Sequence, residues 1–159
     1  MKVITLTATC VVLFATTANG YTFIQQSIEF NKKQKSIECL TKAVYHEARG
    51  ESTKGQIAVA YSVINRKEDK RFPDSTCDVV FQPDQYSYID QTKFDTASKE
   101  WESSKQVAEQ VYYKLVSDPT KGAKWYYNPK KAKPFWRKYA EGNIIQIGNH
   151  KFIENVRNK

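Results

Sequence analysis

Residues 57–64 most restrict what this chain can fold into. Ile57, Val59, Ala60, Val63 and Ile64 recur so densely that a helix there is apolar on almost every side. Such a helix is stable only when other elements cover it all round. The segment before it supplies one cover: Ile37, Leu40, Ala43, Val44 and Ala48 repeat at helical spacing. Ser36 is placed to cap that helix, and Gly50 to end it in the left-handed conformation. Thr53 followed by Gln56 reads as a capping box that opens the central helix. A second cover is the stripe Ala97, Trp101, Ser104, Ala108, Val111 and Leu115, capped by Asp95 or Thr96 and stopped at Ser117-Asp118-Pro119. Pro73-Asp74 opens a short helix through Cys77, Val79 and Val80.

The last third changes character. Trp125-Tyr126-Tyr127-Asn128-Pro129 and Pro134-Phe135-Trp136 are aromatic, with Lys130, Lys131 and Lys133 between them. Ile144 to Ile147, then Gly148-Asn149, then His150 to Ile153 predicts a hairpin with a two-residue turn. The predicted fold class is α+β, mainly helical, a single domain with a C-terminal β-hairpin.

Composition bounds the setting. The 159 residues carry a net charge of +8, which favours polyanions such as nucleic acid, an anionic membrane face or an acidic wall polymer. Residues 1–20 read as a secretory signal. Lys2 is its basic end, Val3 to Ala15 its apolar run, and Ala18-Asn19-Gly20 the small residues before a cut at Tyr21. That run is too short for an ordinary membrane span, so no stable span is expected after cleavage. Residues 21–35 read as a polar N-terminal extension with a short helix near Phe23 to Phe30, and 36–159 as the functional domain. Export leaves two cysteines, Cys39 and Cys77, which predicts a disulfide; two buried thiols are the alternative. Nucleic acid is not expected as a partner, because no recognised motif supports it and export argues against it. A monomer is expected.

Between the first two helices lies Tyr45-His46-Glu47-Ala48-Arg49-Gly50-Glu51. A charged cluster between core helices is costly unless it is satisfied or used. Glu47 shares a face with Ala43 and Val44, whereas Glu51 falls just past the glycine. A zinc peptidase helix would need a second histidine one turn after His46, and that position is Gly50. No metal or other cofactor is expected. A structural reading pairs Glu47 with Arg49 or Arg66. A catalytic reading makes Glu47 a general acid on a glycosidic bond, because burial at a helix end disfavours the ionised form of a carboxyl. Gln82-Pro83-Asp84-Gln85-Tyr86-Ser87-Tyr88 has the amides, hydroxyls and aromatics that suit sugar binding, and an ordinary surface loop fits that composition equally well.

These motifs in order resemble the SleB-like cell-wall hydrolase family. The likeness runs from Tyr45-His46-Glu47-Ala48-Arg49-Gly50-Glu51 through Gly55 to Ala60 and Val63-Ile64-Asn65-Arg66. It continues at Phe72-Pro73, Cys77 to Val80, Gln85-Tyr86-Ser87, Asp118-Pro119-Thr120, Tyr127-Asn128, Phe135-Trp136 and Ile147-Gly148-Asn149-His150. The resemblance implies a lysozyme-like domain acting on the glycan strands of peptidoglycan. It implies Glu47 as the catalytic acid and then base of a lytic transglycosylase, which needs no second carboxylate. Glu51 and Arg66 are its expected supports, and Gln85, Tyr86, Ser87, Tyr127 and Asn128 its expected sugar contacts. His46 is given no family role, and His150 reads as a structural histidine of the hairpin rather than a catalytic one. A hydrolysing muramidase or glucosaminidase, or a wall-binding module without catalysis, is the alternative. The expected location is the periplasm or the exterior, including release from a phage into a host envelope.

Overall fold

The computed structural model describes residues 8–83 and 93–157, with side chains from residue 21 onward. The chain divides into two compact units between Lys35 and Ser36. Helix α1 (Ala8–Ala48) passes through both, so Ser36 lies inside a helix rather than capping one, and residues 21–35 are helical throughout. The reason is local. From Tyr21 to Lys35 there is no glycine or proline to break the helix. Pairs one turn apart such as Glu29–Lys33 and Glu38–Lys42 support it. In the first unit Tyr21, Phe23, Ile24, Ile28 and Phe30 are exposed. Among the described residues no helix is long and apolar enough to cross a membrane.

The second unit is built around α2 (Thr53–Lys67), in which Ala58, Val59, Ala60 and Val63 are wholly buried. Its all-round apolarity has a simple cause: it stands between two apolar clusters. Ala60, Val63 and Ile64 pack with Leu40, Ala43 and Val44 of α1, with Val79 and Val80, and with Val107, Ala108 and Val111. Ala58 and Val59 pack on the other side with Ala48, Ala123, Ile147 and Phe152. Its cap lies one residue earlier than the capping box predicts. The Ser52 hydroxyl accepts from the Gly55 N–H, and the Gln56 side chain donates to the Glu51 carbonyl. Gly50 is not left-handed; the chain leaves α1 through a turn in which the Glu51 N–H donates to the Ala48 carbonyl.

Helix α3 (Thr76–Val80) is capped by Ser75, two residues after the predicted start. Cys77 in α3 is bonded to Cys39 of α1, with Cα atoms 5.2 Å apart, as expected. Helix α4 (Lys99–Tyr112) is shorter than its stripe at both ends. Ser98 rather than Asp95 or Thr96 is its cap, accepting from the Trp101 N–H. Lys114 takes the left-handed conformation (φ 54°), and the Leu115 N–H turns back to the Gln110 carbonyl, which leaves Leu115 exposed.

The C-terminal hairpin forms as predicted: β2 (Ala140–Ile147) and β3 (His150–Val156) pair with Ile147 opposite His150. A strand that the sequence reading missed, β1 (Trp125–Tyr127), joins the other edge of β3, giving the antiparallel order β1-β3-β2. The fold class is α+β and mainly helical.

Candidate active site

The last turn of α1 delivers the motif. Ala48 is in the core and holds the turn against α2 and the sheet. Tyr45 is buried edge-on against Phe94 and Trp101, and the Arg49 guanidinium lies 5.0 Å from its ring centre. Glu47 therefore emerges at a fixed place, with 27% of its side chain exposed. Full burial, which its phase with Ala43 and Val44 suggests, does not occur. Its partner is also not the predicted one: His46 Nδ1 lies 2.9 Å from Glu47 Oε1.

Glu47 opens into a cleft of about 460 Å³ within the second unit. It is lined by His46, Glu47, Arg49 and Gly50 at the end of α1, by Asn128, Lys130 and Lys131 after β1, and by Glu51, Asn149 and His150. The two acids of the motif are treated differently. Glu51 is held by the hairpin turn, accepting from the Asn149 side chain at 2.9 Å and the Asn149 backbone N–H at 3.3 Å. Gly148 is left-handed (φ 56°), and a Cβ there would stand 2.2 Å from Glu51 Oε2. Glycine is what lets the turn close over this carboxylate. Burial opposes ionisation of Glu51, but the Asn149 bonds, with His150 and Lys131 nearby, outweigh it and hold the carboxyl below its ordinary value of 4.5.

His150 is buried beside Glu51. Its Nδ1 is 3.7 Å from Glu51 Oε1, too far for a hydrogen bond, and has no partner among the described residues. Burial pushes this imidazole below its ordinary value of 6.5, against the pull of Glu51 and then Glu47. Both shifts have the same sign for stability. A depressed Glu51 and a depressed His150 each take up protons more readily in the unfolded chain. The His150 contribution is complete above pH 6.5 and lost as the pH falls through its lower folded value. The Glu51 contribution is complete above pH 4.5 and lost in the same way. Urea midpoints are expected to drop in two stages on acidification, with His150→Gln removing the first stage and Glu51→Gln the second. Identical pH profiles for all three proteins would contradict this.

Of the other predicted residues, Asn128 lines the cleft. Tyr127 is not among the cleft-lining residues and packs edge-on against Trp136 at 5.7 Å. Arg66 is buried on α2 away from the cleft lining, where its Nε donates to the Lys124 carbonyl at 2.6 Å and its guanidinium lies 5.3 Å from the Phe72 ring. Gln85, Tyr86 and Ser87 lie outside the described residues. The sequence reading missed Arg49, Lys130, Lys131 and Asn149 as cleft residues. Arg49 stands two residues from Glu47 in the motif, and the Gly148-Asn149 turn signal could have pointed to Asn149.

Residues 50–153 match the Cell Wall Hydrolase family. The chain belongs to that family. The matched span of this Cell Wall Hydrolase member includes Glu51, Asn128 and His150 and begins three residues after Glu47. It is 32% identical over 123 residues to a spore cortex-lytic enzyme of Oceanobacillus iheyensis, covering 76% of this chain and 42% of that protein. It is 31% identical over 120 residues to a spore cortex-lytic enzyme of Bacillus subtilis, covering 74% and 37%. The chain thus spans less than half the length of these relatives. Its fold is similar to the catalytic domain of the germination-specific lytic transglycosylase SleB from Bacillus anthracis, with a TM-score of 0.65 and 30% identity over 76% of this chain and 94% of that one. The catalytic domain of the Bacillus cereus SleB protein is similar at a TM-score of 0.62, covering 76% and 90%.

Proposed function

We propose that this chain degrades peptidoglycan as a lytic transglycosylase, cutting between N-acetylmuramic acid and N-acetylglucosamine with Glu47 as general acid and then base. The observation that carries this reading is the unequal state of the two acids. Glu47 opens into the cleft, whereas the Glu51 carboxylate is taken up by Asn149 and closed over by Gly148. Hydrolysis by two carboxylates requires a second acid free to act as nucleophile or base. Transglycosylation requires one. Glu47 gives its proton to the glycosidic oxygen as the bond from C1 of the muramoyl residue breaks. The 6-hydroxyl of the same residue then closes on C1 and returns its proton to Glu47, leaving a 1,6-anhydro end.

Asn128, and with it Tyr127, Gln85, Tyr86 and Ser87, is assigned to the sugar groove. Arg49, Lys130 and Lys131 make the cleft cationic, which suits a glycan whose stem peptides carry carboxylates. Residues 1–20 are assigned to export and 36–159 to catalysis, a location supported by the wall-directed relatives. Mass spectrometry of digested sacculi tests the reaction. Anhydro-muropeptides are the expected product; reducing muramic or glucosamine ends would replace transglycosylation with hydrolysis.

A further inference from the structure

Neighbouring residues of an α-helix project about 100° apart and do not face each other. His46 and Glu47 meet all the same, at 2.9 Å, with both side chains about a quarter exposed. Helix phase does not produce this contact; the side-chain conformations of the two residues bring Nδ1 to Oε1. It lies in the last turn of α1, where the unpaired carbonyls of a helix favour a donor or a positive charge. His46 is also the hydrogen-bond partner that the described residues give Glu47, since Asn149 is engaged with Glu51 and Arg49 lies over Tyr45.

We propose, resting on the assignment of Glu47 as general acid, that His46 is the residue that positions its carboxyl for each half of the reaction. With the neutral ring protonated on Nδ1, that N–H is donated to Oε1. The acidic proton is then confined to Oε2, the oxygen left for the sugar. After transfer the same bond keeps the carboxylate from rotating, so Oε2 is in place to receive the proton of the 6-hydroxyl. The other charged groups lining the cleft beside the pair are Arg49, Glu51, Lys130, Lys131 and His150. Surroundings hold the Glu51 carboxyl and the His150 ring each below its ordinary value.

The test is muropeptide release from purified sacculi, measured well below the melting temperature for wild type, His46→Leu, His46→Gln and Glu47→Gln. His46→Leu is expected to lower kcat about ten- to a hundredfold with KM little changed. His46→Gln, whose amide can donate to Oε1, is expected to recover most of that loss. A His46→Leu enzyme with the wild-type kcat would overturn the role of His46 alone, as would a loss that glutamine does not restore. Near wild-type rates in Glu47→Gln would overturn the Glu47 assignment and this one with it.

Discussion

The Glu47→Gln variant is expected to lose about 10²–10⁴-fold of its lytic rate on sacculi, the span that a positioned acid–base group contributes. Its fold is expected to survive. The amide has the shape of the carboxyl, the side chain is 27% exposed, and Tyr45 and Ala48 on either side of Glu47 keep their packing. The melting temperature should therefore stay close to that of wild type while soluble muropeptides disappear. The substitution removes the transferable proton and leaves the cleft walls, so binding to sacculi is expected to persist. Lysis within a few-fold of wild type would remove Glu47 from the chemistry. A wild-type protein that binds sacculi and releases nothing would make the chain a wall-binding module.

Loss of the Cys39–Cys77 disulfide is expected to cost about 3–4 kcal/mol, from the entropy the unfolded chain regains when this loop is opened. For a domain of this size that corresponds to a fall of roughly 10 °C in melting temperature. The bond ties α1 to α3 in the cluster that also holds Leu40 and Val44, with Cys39 about two helical turns before Glu47. Opening it loosens the helix that presents Glu47. Melts with and without reductant, alongside a Cys39→Ser/Cys77→Ser variant, measure the effect. Coincident melts would show that the bond adds nothing to stability.

Elements whose signal is local were legible in the sequence. The central helix announced itself because its apolar residues leave no polar face, and the hairpin because Gly148-Asn149 separates two apolar runs. The disulfide followed from there being two cysteines beyond the N-terminal segment. Contacts between distant segments were not legible. Strand β1 is three residues long and gains its identity from β3, more than twenty residues later. Glu51 and Asn149 meet across 98 residues, and nothing near either predicts it. The start of α1 was misplaced because residues 21–35 lack a buried stripe, and the absence of a helix breaker proved enough. The His46–Glu47 bond was missed for the opposite reason: the residues are adjacent, and helical phase argues against them.

The docking of Glu51 under the hairpin tip also works as a gauge of strand alignment. A slip of one residue between β2 and β3 would turn every side chain to the opposite face. It would carry the Asn149 donors away from Glu51 and bring a Cβ-bearing residue where only Gly148 fits. A half-closed carboxylate without donors costs on the order of 1–3 kcal/mol, so misaligned hairpins are disfavoured by the acid four residues from Glu47. Correct pairing and completion of the cleft thus become one event. Because the hairpin is translated after α1 to α4, the cleft is complete only once its sheet has closed.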